Sequence, residues 1–369
     1  MQMRSVHIQR DRIPSCTEDI AHKPLFRCPR SKVSRLQRRW LDRLRTELTD
    51  GMLSTVEPLC LCGVQNTGSD ELLFSEDRYG LPFGTWLCHS CGMVRTSPMI
   101  ADESLQRYYD VFYDNIYGPS HARFSRSLKS SIRLAGQQAT WISDFWTASA
   151  PHILVADYGC GYGGSLVEWR SRGHGVLGYE VARDRIRWLS EMRLPVETDE
   201  FTFMRKCSDA ELVILSHVLE HQSDPVSLLM RIASATPLNT HLYVELPGIF
   251  DWFALYRQRG FAIQHAHAWG FCLSTLQTVC SKAGWQLVNG DELIRSLWRK
   301  CSQPSVPSRD VRALCDRLLY SLGVTEVTDK PHEYTSPRPE AQARQQLSGF
   351  ESGNEIVFGA RGACITEEI

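Results

Sequence analysis

Apolar residues in the second half of this chain come in short runs, at 153–156, 175–179, 211–216, 241–246, 285–288 and 355–358. Between them lie stretches with helical spacing, among them 224–235 and 274–283. Strands alternating with helices predict an α/β unit over 151–369, a mostly parallel sheet wrapped by helices. One long interruption, about 298–350, holds a single helical run, DVRALCDRLLYSLG, and then a polar stretch, TDKPHEYTSPRPEAQ, that reads as an exposed loop.

The first half is patterned differently. Residues 1–33 have scattered prolines and no period, and read as a mobile arm. In SRLQRRWLDRLRTELT, residues 34–49, Leu36, Trp40, Leu41, Leu44 and Leu48 fall on one helical face, with Ser34 as N-cap and Gly51 as a stop. Residues 101–148 read as a helical connector opening on the capping pattern of Asp102. The expected division is therefore a basic arm and helix (1–50), a four-cysteine module (56–100), a helical connector or lid (101–150) and the α/β unit. No internal repeat is present.

Composition narrows the class. With 43% hydrophobic and 22% charged residues the chain is ordinary globular protein, and no window reaches the roughly 20 apolar residues of a membrane span. The amino terminus lacks the apolar core of a secretory signal, which predicts a cytoplasmic protein. Thirteen cysteines in a reducing compartment point to metal binding or burial ahead of a disulfide framework. Residues 1–50 carry 12 Lys/Arg against 6 Asp/Glu, while the whole chain has net charge −1. No aromatic residues interleave with these basic ones in a stacking pattern, so the arm reads as a solvated helix face and nucleic acid is not the expected partner.

Cys60-Leu-Cys62-Gly is followed by Cys88-His-Ser-Cys91-Gly. Two close thiol pairs, each ending in a glycine free to take positive φ, suit a tetrahedral Zn²⁺ with four thiolates. A module this small needs such a staple, so the metal is expected to be structural. His89 is an alternative fourth ligand.

ILVADYGCGYGGSL, residues 153–166, fits two patterns at once. Gly159, Gly161 and Gly164 give the G-x-G-x-x-G of a dinucleotide loop; Asp157, Gly159, Gly161 and Gly163 give the D-x-G-x-G-x-G of an S-adenosylmethionine loop. Glu180 ends the next strand, where a carboxylate binds ribose hydroxyls of either cofactor. Asp157 favours the cationic methyl donor, because a carboxylate repels pyrophosphate.

The segment DAELVILSHVLEHQSDPVSLLMRI, with Asp224 as N-cap and Pro225 at the first helical position, carries His217-Val-Leu-Glu220-His221-Gln-Ser-Asp224-Pro225. In this the chain resembles the class I S-adenosylmethionine-dependent methyltransferases. NTHLYVELPG is similar to the family's fifth strand, HAHAWGFCLSTLQTVCSKAGWQLV to its following helix, and NEIVFGAR to its terminal strand. The resemblance covers about 150–298 and 353–362. The order of a four-cysteine segment, CGMVRTSPMIADESLQRYYDVFY and then this core further resembles a bacterial subgroup that includes sugar C-methyltransferases of polysaccharide and natural-product pathways. The chain lacks that subgroup's Pro-Leu-Ala-Asn-like stretch and its extended carboxy-terminal domain.

The resemblance implies a Rossmann-like seven-stranded sheet with helices on both faces, preceded by a zinc-ribbon-like module. It implies methyl transfer from S-adenosylmethionine to a small molecule, a sugar or sugar nucleotide. Asp157, Gly159, Gly161 and Gly163 would shape the methionine end of the pocket, lined by Cys160 and Tyr162. Glu180 would hold the ribose, Thr198 to Glu200 would meet the adenine, and His217 would lie under the donor. His221 and His267 are the candidate bases, since imidazole titrates near neutrality. His265 is expected at the surface, and Tyr108, Tyr109, Tyr113 and Tyr117 on a helix that packs over the pocket. Competing readings are an oxygen or nitrogen methyltransferase of another metabolite and an RNA-binding methyltransferase. The acidic, aromatic stretch 101–120 opposes the second.

Overall fold

A computed structural model describes residues 23–28, 30–63, 70–118, 124–251, 263–305, 308–322, 356–358 and 364–366. The proline-bearing loop expected within 328–342 and most of the basic arm lie outside them. The end of the arm is attached: Leu25 and Phe26 donate backbone hydrogen bonds to Leu72 and Leu73.

Helix α1 (Arg35–Thr49) begins as its sequence predicts. Ser34 Oγ accepts from the Gln37 amide and the Gln37 side chain accepts from the Ser34 amide, a capping box worth about 1 kcal/mol. Leu41, Leu44 and Leu48 are buried, whereas Leu36 at the start of the stripe stays exposed. The buried stripe packs on Phe112 and Ile116 of the connector.

In the cysteine module, β1 (Thr55–Val56) pairs with β5 (Met99–Ile100). Strands β2 (Glu71–Phe74), β3 (Gly84–Leu87) and β4 (Val94–Ser97) form an antiparallel meander. Connector helix α2 (Asp102–Tyr108) runs through a π-helical stretch (Tyr109–Tyr113) into α3 (Asp114–Tyr117). Its N-cap is Ala101, not Asp102, and no side chain caps it; Asp102 is the first helical residue, where its charge still favours the helix dipole. Helix α4 (Phe124–Ser143) follows.

The main sheet has seven strands. β6 (Leu154–Tyr158), β7 (Gly175–Tyr179), β8 (Val196–Glu197), β9 (Ala210–Ser216) and β10 (His241–Glu245) are parallel, in spatial order 8-7-6-9-10. β12 (Trp285–Gly290) and β13 (Arg295–Lys300) close one edge antiparallel, β13 lying against β10. Along β9 and β10, alternate residues serve the two faces. Leu212, Ile214 and Tyr243 pack with Ile142 and Trp169 of α4 and α5 (Gly164–Ser171). Val213, Leu215, Leu242 and Val244 pack with α7 (Glu200–Lys206), α8 (Pro225–Ala235) and α9 (Leu273–Lys282). Between β7 and β8, α6 (Arg183–Glu191) completes the helices that position the site.

The run at 355–358 does not end this sheet. Ile356–Phe358 (β14) pairs with Cys364–Thr366 (β15) in a separate hairpin. The seat beside β10 belongs to β13, whose sequence RSLWRK hides its strand character: only Ser296, Leu297 and Trp298 are buried between basic ends.

The cysteine module is seated on this core. Trp269–Gly270 (β11), from the chain after β10, pairs with β4 as the fourth strand of the module's sheet. Helix α10 (Val311–Ser321), the helical run of the long interruption, brings Leu314 and Cys315 against the Cys88–Gly92 turn. Arg309 Nη2 donates to the Cys91 carbonyl at 2.9 Å, and Lys282 Nζ to the Leu61 carbonyl at 2.7 Å.

Candidate active site

The strand order reverses between β6 and β9, so the loops leaving their carboxyl ends flank the crevice where open α/β sheets bind ligands. The glycine loop leaves β6. Gly159, Gly161 and Gly163 have φ of 74°, 54° and 82°, a left-handed geometry that a side chain strains, so the backbone is bare where it faces the crevice. Asp157 and Cys160 are fully buried, and the Cys160 amide donates to the Tyr179 carbonyl at 2.7 Å. Gly164 packs against a helix and not against a strand: a Cβ there would lie 2.4 Å from the Ser131 carbonyl carbon of α4.

Glu180, 4% exposed, ties the loop to the end of β7. Its Oε2 accepts the Gly161 amide at 2.8 Å, and its Oε1 accepts the amides of Val181 and Ala182, each at 2.9 Å. A carboxylate has about four acceptor sites, so Oε2 retains capacity for a ribose hydroxyl. The loop and Glu180 thus fit a nucleoside cofactor. Arg185, which the sequence reading missed, sits 3.7 Å from Glu180, is hydrogen-bonded to Asp114 of the connector, and lies 5.4 Å over the Tyr162 ring. Asp114, the first residue of α3, thus ties the connector to α6 beside the glycine loop. Thr198 to Glu200 follow β8 as expected, but Glu200 turns to Tyr158 and Arg231, both at 3.0 Å.

The HVLEH segment leaves β9. His217 adopts φ 53°, and its amide donates to the Glu245 carbonyl at 2.7 Å. Strain of this kind in a residue with a Cβ persists where the surroundings over-determine it, commonly at functional sites. It turns the His217 ring so that Nδ1 lies 3.3 Å from Glu220 Oε1. His221 closes a 3₁₀ turn; its Nδ1 donates to the Ala266 carbonyl at 2.7 Å, which leaves Nε2 as a lone pair 3.9 Å from Glu220. His267, on the loop after β10, contacts Gln264 and stacks edge-on to His221 with centroids 4.8 Å apart. Ligand atoms of Glu220, His221 and His267 all lie within 4.8 Å of one another.

Glu220 is 1% exposed, and among the described residues neither carboxylate oxygen has a hydrogen-bond partner. A buried carboxylate without hydrogen bonds is costly. Glu220 was quoted within its motif but given no role by the sequence; only burial singles it out. Burial holds the His221 imidazole below its ordinary value, and burial together with neighbouring His221 and His217 holds His267 far below. Both rings are therefore neutral and able to accept a proton near pH 7.

His265 is the clearest departure from the sequence reading. It is 3% exposed, packed among Tyr79, Phe83, Tyr108 and Tyr117. The tyrosines do pack, as expected: Tyr108 and Tyr117 against this imidazole, Tyr113 edge-on to His221, and Tyr109 against Tyr108 and Tyr113.

The four cysteine sulfurs converge. Gly63 and Gly92 take φ of 88° and 73°, as the turns require. Cys60 and Cys91 Sγ are 3.4 Å apart and Cys62 and Cys88 Sγ 3.8 Å, and all four lie within 4.8 Å. These are not disulfide distances. Four thiolates about 2.3 Å from a tetrahedral Zn²⁺ stand about 3.8 Å apart, so the set fits zinc. His89 pairs instead with Glu71 at 3.2 Å.

Residues 132–289, from within α4 to the end of β12, match the family model described as a methyltransferase domain. Comparison with curated proteins gave no match. Among solved structures, the chain is similar to a SAM-dependent methyltransferase from Archaeoglobus fulgidus, at 21% identity over 46% of this chain and 75% of that one, TM-score 0.37. It is similar to the 1,6-didemethyltoxoflavin-N1-methyltransferase of Burkholderia thailandensis at 13% identity, 57% and 96% coverage and TM-score 0.40. The magnesium protoporphyrin IX methyltransferase of Synechocystis PCC 6803 gives 15%, 54%, 98% and 0.38. The family match takes in six of the seven strands of the main sheet, all but β13, and its crevice, and defines a Rossmann-like methyltransferase domain. Residues 132–289 are thus a methyltransferase domain. Among the described residues no helix is long and apolar enough to cross a membrane.

Proposed function

We propose that this methyltransferase uses S-adenosylmethionine to methylate a small hydroxylated molecule, a sugar or sugar nucleotide, with Zn²⁺ held by Cys60, Cys62, Cys88 and Cys91 as a structural staple. The reading is carried by one observation: a loop of three left-handed glycines at the switch point of the sheet, hydrogen-bonded to Glu180. The resemblance of the four-cysteine segment and residues 91–113 to the subgroup that includes sugar C-methyltransferases supports the acceptor class.

When bound, the donor supplies an electrophilic methyl group on a sulfonium that leaves without acid assistance. Gly159, Gly161 and Gly163 admit its methionine end to the backbone, beside Cys160 and Tyr162. The Asp157 carboxylate favours its cationic end, and Glu180 Oε2 takes a ribose hydroxyl. His217, at the end of β9, would lie under the donor. His221, its Nδ1–H fixed by Ala266, presents Nε2 to the acceptor and takes its proton. Neighbouring Glu220 favours the imidazolium that forms. The connector, latched through Asp114 and Arg185, excludes water.

A thermal-shift titration tests the cofactor. S-adenosylhomocysteine should raise the melting temperature with dose and NAD should not. The reverse pattern would overturn the reading.

A further inference from the structure

Asp77, His265 and Tyr108 come from three separate parts of the chain: the cysteine module, the loop after β10 and the connector. All are buried, at 0%, 3% and 1% exposure. Asp77 Oδ1 accepts the amides of Tyr79 and Leu81, each at 2.9 Å. Two backbone donors thus occupy Oδ1 and leave Oδ2 to accept from a side chain. Its other oxygen, Oδ2, lies 2.6 Å from His265 Nδ1. An acceptor-only partner puts the ring proton on Nδ1 and leaves Nε2 as a lone pair. Nε2 is 2.9 Å from the Tyr108 hydroxyl, which must then donate to it. Tyr117, 3.3 Å from the already committed Nδ1, is the weaker partner.

Tyr108 and His265 line the same cleft as His221, Tyr109 and Ser223. With its hydrogen spent on His265, the Tyr108 oxygen has only lone pairs to offer a partner in that cleft. His221 does the same, since its Nδ1–H is spent on Ala266. We propose that Asp77–His265–Tyr108 is a proton relay that makes Tyr108 a hydrogen-bond acceptor towards the substrate, so that the cleft takes a molecule with at least two hydroxyl donors, a diol or polyol. The inference rests on the methyltransferase reading above and specifies its acceptor. Tyr108 is the contact residue; His265 and Asp77 position it.

The relay also balances a proton transfer. As the substrate oxygen attacks the donor's methyl carbon, the carbon–sulfur bond breaks and the sulfonium leaves as a neutral thioether. The substrate O–H proton passes to the Tyr108 oxygen while the Tyr108 proton passes to His265 Nε2. The phenol stays neutral throughout, and Asp77 stabilises the imidazolium. The proton returns to solvent on opening. A polyol thus meets Tyr108 at one wall and His221 at the other, each taking the proton of the hydroxyl seated against it, so that neither replaces the other.

The test has two arms. Long-range ¹H–¹⁵N correlation on the full-length ¹⁵N-labelled protein, with His265→Gln for assignment, should show His265 protonated on Nδ1 alone. Tyr108→Phe should shift its Nε2 resonance, and Asp77→Asn should abolish the Nδ1–H preference. A ring protonated on Nε2, or on both nitrogens, at pH 7.5 would overturn the relay whatever the acceptor proves to be. In the second arm, methyl-tritiated S-adenosylmethionine is offered hexoses and sugar nucleotides with vicinal diols, beside deoxy and O-methyl counterparts. Label should pass only to diols, and Tyr108→Phe should cut kcat about 10²–10⁴-fold with donor affinity unchanged within about twofold and rescue absent in His265→Gln. Equal transfer to the deoxy or O-methyl compounds, undiminished turnover in Tyr108→Phe, or no transfer to any diol by protein that binds the donor would overturn the acceptor class. Failure to bind the donor at all would instead overturn the methyltransferase cofactor assignment.

Discussion

The amide of Gly161 donates to Glu180 Oε2 across 2.8 Å, so the tip of the glycine loop and the end of the neighbouring strand form one hydrogen-bonded unit. The bond fixes the backbone that the cofactor approaches and aims the carboxylate that would hold its ribose. Loop and carboxylate lie 19 positions apart in sequence. They meet because β6 and β7 are adjacent parallel strands with Tyr158 opposite Tyr179.

Two glycines on facing helices should respond to alanine in opposite directions. At Gly164 a Cβ would intrude on the Ser131 backbone, so Gly164→Ala should lower stability by about 1–3 kcal/mol. At Gly136, inside α4, the nearest atom is a Glu168 oxygen at 3.6 Å, an ordinary contact. Gly136→Ala should raise stability by about 0.5–1 kcal/mol. Urea unfolding of both variants measures the difference, and equal effects would contradict the packing described.

Zinc is expected at about one ion per chain, by the four-thiolate geometry. Cys88→Ser combined with Cys91→Ser should bring the content measured by atomic emission towards zero. The melting temperature should drop with it, because the module seats β11 and hence the His265–His267 loop. Metal-free wild-type protein retaining full stability would remove zinc from the account.

The buried imidazoles predict a pH signature. His221 and His267 both titrate below the unfolded value of about 6.5 when folded, burial being the main cause. Between the folded and unfolded values the unfolded chain binds more protons, so stability rises with pH there. Their contribution is complete above about pH 6.5 and is lost as pH falls below it. Melting temperature should therefore decline on acidification from pH 6.5, and this decline should shrink in His267→Asn. A slope untouched by that substitution would place the responsible groups elsewhere.

Replacing His221 by Asn should lower kcat about 10²–10⁴-fold, the range for a general base. S-adenosylmethionine affinity should stay near wild type, since the ring faces the acceptor cleft. Loss of donor binding together with turnover would give His221 a structural role.

Much of this was legible in the chain. Strand and helix runs from 153 to 288 appear where the periodicity puts them, and the Ser34 and Asp224 caps form as their side chains predict. Both cysteine pairs and their glycines behave as local chemistry requires, because a tight turn is set by a few adjacent residues. What failed was non-local. His265 reads as a polar residue in a loop, yet three distant segments close around it. RSLWRK reads as surface because its buried centre is only three residues long. Asp77 and Arg185 carry no motif, and their roles exist only once the connector folds over the core. Glu220 stood within a quoted motif, but its unpartnered burial is a property of the packed site.

The most direct test of the central claim is isothermal titration of the wild-type protein and Glu180→Ala with S-adenosylmethionine. The account predicts saturable one-to-one binding by wild type. It predicts a loss of about 10–100-fold in the variant, the worth of hydrogen bonds to a buried carboxylate at about 1.5–3 kcal/mol. Binding of NAD in place of S-adenosylmethionine, or equal donor affinity in wild type and Glu180→Ala, would contradict it.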